Sequence, residues 1–293
     1  MNVQIIQVPY DSGHKGVRTG RGPDHFIEHG MDHMLCECGH DVDICRIGHI
    51  VSPPTEIGTG FELNRLLAER VRSAIRQNRF PMVLAGNCNS CVGAIAGIGS
   101  SRLGIVWFDA HGDFNTPETT VTGFLDGMGL AMATGRCWQA LLKTIPGFVP
   151  VSEKHVVHVG SRDLDWEERK MLEHAGIPLV TPASKGQMRF LERLKTALAE
   201  LKHHVDGVYL HIDMDVLDTD QGQPNHLAVP GGLSVEIVEE AIGMVAAHVD
   251  IAGCGIASYD PGYDQDDGVL MAGFRLIKAC VSASSGTGMG QMQ

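Results

Sequence analysis

The sequence predicts a parallel α/β fold, and three observations carry that reading. Short apolar runs alternate along the chain with longer stretches whose apolar residues recur at helical spacing. The runs at residues 104–108 (Gly-Ile-Val-Trp-Phe) and 208–212 (Val-Tyr-Leu-His-Ile) are apolar at almost every position, the pattern of strands covered on both faces. Both runs end directly in acidic residues, and parallel sheets gather their functional groups where strands end. Neither an internal repeat nor a linker interrupts the alternation, so residues 1–283 are expected to form one domain. The Gly/Ser/Met-rich stretch 284–293 is expected to be a flexible tail.

Residues 1–8 open the chain as a first strand, and residues 9–16 carry loop chemistry. A helix over residues 23–33 has Pro23 in its first turn, where a missing N–H is harmless. Residues 42–47 read as an edge-like second strand and residues 53–60 as a loop. Residues 62–77 form an amphipathic helix with Leu63, Leu66, Leu67, Val71 and Ile75 inward. The strand at 80–85 is followed by Gly86-Asn-Cys-Asn-Ser90 and a small, close-packing helix at 90–97. Beyond the strand 104–108, helices are expected at 128–142, 166–175, 188–203, 235–248 and 268–283. Strands are expected at 155–159, 178–180, 208–212 and 251–258.

A net charge of −12 argues against a nucleic-acid or anionic-membrane surface. No run approaches the roughly 18 apolar residues of a membrane span, and the N-terminus lacks the charged start and apolar core of a secretory signal. Eight cysteines in 293 residues are too sparse for a disulfide scaffold. Cys36, Cys38 and Cys45, with His33 and His40 among them, match no zinc spacing. A reduced, cytoplasmic protein is the expectation.

Asp109-Ala-His111-Gly-Asp113 closes the strand at 104–108. Its three polar side chains converge if the chain stays extended, because strand side chains repeat every second residue. Two carboxylates and an imidazole suit a hard or borderline divalent ion such as Mn²⁺. Taken alone, the motif also fits a polar loop capping the next helix. Asp213-Met-Asp215 repeats the arrangement at the end of the strand 208–212. Two strands that both end in ligand-type clusters provide four aspartates and a histidine, enough for two ions sharing bridging carboxylates.

Asp109-x-His111-x-Asp113 together with Asp213-x-Asp215 resembles the signature of the arginase/agmatinase ureohydrolase superfamily. The similarity runs from Val8-Pro9 through Pro230-Gly-Gly-Leu233 to Asp260-Pro261. It implies a three-layer α/β/α fold around a central parallel sheet, and a hydrolase of a linear C–N bond in a small guanidino substrate. It also implies a binuclear manganese cluster whose bridging hydroxide attacks the guanidinium carbon. Asp109 and Asp213 would bridge two Mn²⁺ ions, His111 and Asp215 would hold one, and Asp113 the other. Asp113 would also carry the proton to the leaving amine. The chemistry fits: water at neutral pH is a poor nucleophile, and metal ions lower its pKa. The assembly stays open between a homo-oligomer, trimers and hexamers being common in the family, and a monomer.

Departures from the pattern narrow the reading. The family's remaining metal ligand, a His in a Gly-Gly-Asp-His-Ser segment, falls on Cys88 when Val83-Leu84 and Gly93 are aligned. A thiolate matches Mn²⁺ poorly, so the ion on that side is expected to bind weakly or to differ in identity. A buried thiol beside a mononuclear site is the alternative. Thr122-Gly-Phe-Leu-Asp-Gly127 replaces the family's Ser-Gly-Asn-Leu-His-Gly, which puts Asp126 in the place of a catalytic His and Phe124 in that of a substrate-binding Asn. The family's late Glu, which pairs with the guanidinium, aligns with Ser258, and Asp260 or Asp126 is the candidate replacement. Asn115 and Thr122 stand where arginases hold the α-carboxylate. Asp163 and Asp165, in Gly160-Ser-Arg-Asp-Leu-Asp165, match the segment that holds the α-amino group, with turn capping as the alternative for each. The run Gly112-Asp-Phe-Asn-Thr-Pro-Glu-Thr-Thr120, with the changes at 88 and 126, is most similar to the Nω-hydroxy-L-arginine amidinohydrolases of D-cycloserine biosynthesis. That similarity implies hydrolysis of Nω-hydroxyarginine to ornithine and hydroxyurea. Arginine, agmatine and formimidoylglutamate stand as alternative substrates. A metal-depleted binding or regulatory partner is an alternative of a different kind.

Overall fold

The computed structural model describes residues 1–48, 50, 55–181 and 187–286. β1 (Asn2–Val8) is followed by a two-stranded hairpin, β2 (Tyr10–Asp11) and β3 (His14–Lys15), then α1 (Gly22–Glu28), α2 (Met31–Glu37) and β4 (Asp41–Arg46). α3 (Glu56–Arg76) leads to β5 (Phe80–Ala85), and α4 (Cys91–Ile98) to β6 (Leu103–Phe108). The short α5 (Gly129–Ala133) and α6 (Gln139–Leu142) lead to β7 (Val156–Val159). α7 (Trp166–Ala175), β8 (Leu179–Val180), α8 (Gln187–Leu201), β9 (Gly207–Asp213), α9 (Val235–His248), β10 (Ile251–Ala257) and α10 (Gly268–Gly286) complete the order.

Eight strands form one sheet in the order β4-β1-β5-β10-β9-β6-β7-β8, and every neighbouring pair is parallel. Alternate residues of each strand face opposite sides, and each side is covered by helices. On one side Val106, Phe108, Leu210 and Ile212 pack with α1, α2, α8, α9 and α10. On the other, Ile105, Trp107 and Tyr209 pack with α3, α4, α5 and α7. This is the expected three-layer α/β/α architecture. Parallel strands all end at one edge, so β5, β10, β9 and β6, neighbours in the sheet, deliver their C-terminal residues side by side.

Several expectations change. The helix expected at 23–33 is two helices, because Gly30 takes φ 85° and ends the first turn of direction. The helix expected at 128–142 is likewise broken, with left-handed backbone at Gly135 and Trp138. α3 starts at Glu56, inside the expected loop, where Thr55 accepts from the Gly58 N–H at 3.1 Å as an N-cap. Its inner stripe runs through Leu67, Val71 and Ala74, so Ile75 faces solvent at 37% exposure rather than the core. The hairpin β2–β3 went unforeseen because two-residue strands carry no periodicity. α10 continues three residues past the expected end at Ala283, into Gly286. Residues 53 and 54 of the expected loop and 287–293 of the expected tail lie outside the described residues.

The expected close-packing helix at 90–97 does pack tightly. A Cβ added at Gly97 would lie 2.5 Å from the Val71 Cβ of α3, well inside contact distance. Gly97→Ala should therefore destabilise the protein by about 1–3 kcal/mol in urea unfolding, as overpacked cores do.

Candidate metal centre

β6 and β9 lie side by side with Phe108 opposite Ile212, so Asp109 and Asp213 leave the sheet together. Each then closes the same local turn. Asp109 Oδ1 accepts from the His111 N–H at 2.7 Å, and Asp213 Oδ1 from the Asp215 N–H at 2.8 Å. These Asx turns, rather than a continued strand, bring the alternating side chains together, which corrects the extended geometry expected from sequence. Asp113 turns back toward the others through a left-handed backbone at φ 48°.

Two groups of ligand atoms result. Cys88, Asp109 and Asp113 form one, and Asp109, His111 and Asp215 the other, with the atoms of each group within 4.8 Å of one another. Asp109 belongs to both. Asp213 closes the cluster from the β9 side, its Oδ2 accepting from the Cys88 thiol at 2.9 Å. The six residues expected as ligands thus lie in two overlapping groups joined through Asp109, with Asp213 attached through Cys88.

Electrostatics show what such a cluster lacks. Asp109, Asp113, Asp213 and Asp215 are all buried. Burial, and then the charge of neighbouring aspartates, pushes Asp109, Asp113 and Asp213 above the usual carboxylate range. Burial works the same way on Asp215, but the His111 imidazolium outweighs it and holds Asp215 down at about 2. Burial opposes charge on His111 too, yet the flanking carboxylates, Asp215 foremost, raise its pKa. One Asp113 oxygen, Oδ2, is buried without a hydrogen-bond partner. Buried carboxylates gathered around one imidazole, with an acceptor left open, match the donor set of divalent cations.

A family model described as the Arginase family matches residues 1–282. The chain belongs to the arginase family. It is 31% identical over 278 residues to an arginase of Bacillus caldovelox, covering 90% of this chain and 92% of that one. With an arginase of Bacillus subtilis (strain 168) it shares 30% over 244 residues, 79% of this chain and 81% of the relative. The solved arginase of Bacillus cereus superposes with a TM-score of 0.87 at 26% identity, covering 100% of both chains. Membership makes the chain a metal-dependent hydrolase of linear amidines that acts on guanidino compounds.

The remaining expected site residues differ in how closely they join the centre. Asp126 is buried beside it. Its Oδ1 accepts from the Asn89 N–H and its Oδ2 from Asn87 Nδ2, each at 2.8 Å. Burial outweighs both hydrogen bonds and pushes Asp126 up to about 7. Ser258 follows β10 and points its Oγ to within 3.4 Å of Cys88 Sγ. Asp260 is buried, its Oδ1 taken by the Gly262 N–H at 2.9 Å. Asn115 donates to Asp165 Oδ2 at 3.0 Å, and exposed Asp163 stands 3.9 Å from His111 Nε2. Thr122 is exposed, and its hydroxyl accepts from the Phe124 N–H two residues on.

Sequence reasoning assigned no role to several residues that shape the centre. Trp107 Nε1 donates to Asp109 Oδ2 at 2.9 Å, and its indole stacks on His211 with ring centroids 3.7 Å apart. The strand period could have shown Trp107, two residues before Asp109 on the same face. Glu168 accepts from the Phe114 N–H at 2.9 Å and presses on Gly112, where a Cβ would meet it at 2.5 Å. Burial pushes Glu168 up to about 7. No local signal links it to a motif 54 residues earlier.

A pH dependence follows with a definite sign. Asp126 and Glu168 hold protons in the metal-free folded state between their ordinary values of 3.8 and 4.5 and about 7, where the unfolded chain has released them. The folded state therefore binds more protons across that window, and stability falls as pH rises through it. Below pH 6.5 the buried His158 and His211, both pushed down to about 3, work in the opposite sense, so melting of chelator-treated protein should show its Tm dropping from pH 6.5 to 7.5, and added Mn²⁺ should reverse that drop.

Proposed function

We propose that the protein hydrolyses Nω-hydroxy-L-arginine to L-ornithine and hydroxyurea with two Mn²⁺ ions as cofactor. The observation that carries this reading is the neutral hydroxyl of Ser258 where the family pairs a carboxylate with the guanidinium. Ser258, held at φ 64°, presents a neutral hydroxyl beside Cys88 and Asp213. Asp126 has both oxygens engaged, and Asp260 Oδ1 accepts from the Gly262 N–H. Burying a cation with no facing anion costs several kcal/mol. An N-hydroxyguanidine is less basic than a guanidine, so it can enter uncharged.

Roles follow for the chain's own groups. Cys88, Asp109, His111, Asp113, Asp213 and Asp215 would hold the divalent ions, which would supply Lewis acidity and lower the pKa of water. Asp113 Oδ2, buried and without a protein partner, holds the proton delivered to the departing Nδ of ornithine. Trp107 and the Asx turn fix both oxygens of Asp109, so its orientation is set before substrate arrives. Asp163 and Asp165 face the α-amino group, and Asn115 and Thr122 the α-carboxylate. The Asn115–Asp165 hydrogen bond holds the two polar ends of that subsite together. The names of the sequence relatives support a second reading, arginine itself as substrate.

A substrate panel on Mn²⁺-loaded protein decides between them. Nω-Hydroxyarginine should give hydroxyurea with a kcat/KM at least roughly tenfold above that for arginine, about 1.4 kcal/mol of transition-state preference. Urea from arginine with no turnover of the hydroxylated compound would sink the proposal. Cys88→His should tighten Mn²⁺ binding by roughly tenfold or more and raise the rate on arginine, because imidazole suits Mn²⁺ better than a thiol. Unchanged Mn²⁺ affinity would show that Cys88 is no ligand.

A further inference from the structure

We propose that Arg162 is the positioning residue that locks the two halves of the metal centre in register, through a guanidinium spread over backbone carbonyls rather than paired with a carboxylate. This rests on the metal reading above and adds to it a residue that touches neither metal ligand side chains nor substrate.

Arg162 lies just past β7, next to β6 in the sheet. Its own N–H donates to the Ala110 carbonyl at 2.8 Å, inside the Asp109–Asp113 motif. Its side chain reaches the other motif. Nη2 donates to the carbonyls of Asp215 at 2.8 Å and Leu217 at 3.1 Å, and Nη1 to that of Val216 at 3.4 Å. The same fork holds the segment that pairs with this turn: Nη2 reaches the Val229 carbonyl at 2.8 Å and Nε the Pro230 carbonyl at 3.2 Å. One residue therefore grips both ligand-bearing turns, one by its backbone and one by its side chain.

The consequence concerns Asp215 most directly. Its carboxylate Oδ1 accepts from the Ala110 N–H at 3.2 Å, and its N–H donates to Asp213. Ala110 and Asp215 are thus joined twice, directly and through Arg162. The planar fork of arginine can serve several acceptors at fixed angles, whereas a lysine ammonium is a point with three donors. The hydrogen-bond pattern also predicts which ion is affected. Arg162 binds the Asp215 turn and the Ala110 peptide between Asp109 and His111, which carry the Asp109–His111–Asp215 group. No hydrogen bond among the described residues joins it to Cys88 or Asp113.

Cobalt titration tests this, because thiolate-to-cobalt absorption reports the Cys88 side alone while total bound Co²⁺ reports both. In Arg162→Lys, which keeps the charge but loses the fork, Co²⁺ affinity on the Asp215 side should fall about 10- to 100-fold. Affinity on the Cys88 side should fall clearly less, since Asp109 is the one ligand-type residue the two groups share and no Arg162 hydrogen bond reaches Cys88 or Asp113. Arg162→Gln serves as the second variant should the lysine protein fold poorly. Affinity unchanged in a folded variant, or equal losses on both sides, would overturn the positioning role. Wild-type protein that binds no Co²⁺ would overturn the metal reading itself, and the proposal with it.

Discussion

Mutual repulsion among buried carboxylates governs this structure. Four aspartates are drawn from two strand ends into a space shielded from water, where like charges repel strongly. The fold can place them there because rigid neighbours hold the backbone. β6 and β9 are central strands, each hydrogen-bonded on both sides. Without a cation the cluster relieves itself by holding protons and by charging His111. A divalent ion would remove the repulsion more completely.

The surroundings keep that tension from collapsing the site. Trp107, stacked on His211, and the Asx turns leave Asp109 and Asp213 little rotational freedom. Asn87 and Asn89 hold Asp126 with neutral donors. Arg162 adds its cation on the opposite flank, where burial lowers its pKa but the aspartates sustain its charge. The result is asymmetric. One side is an oxygen and imidazole site braced by arginine, and the other a thiol and carboxylate site edged by Ser258.

That asymmetry gives the departures from the family a common physical sense. Under the proposed function, Cys88 in place of an imidazole would weaken the hold on one hard cation, and the neutral Ser258 would withdraw the partner of a substrate cation. A less basic substrate would need less of each.

Sequence alone determined the sheet-forming runs, the two acidic motifs and the family pattern, because these are written in local periodicity and in residue identity at short spacing. Asp109, His111, Asp113, Asp213 and Asp215 were legible for that reason, and Cys88 became legible by alignment. The tertiary structure decided how they meet. Convergence through Asx turns depends on backbone hydrogen bonds, and the meeting of β5, β10, β9 and β6 depends on strand order, neither of which spacing records. Arg162 and Glu168 act across 53 or more residues of chain, through carbonyls and amides that every residue possesses. Such partners have no signature of residue type, so only the folded chain could name them.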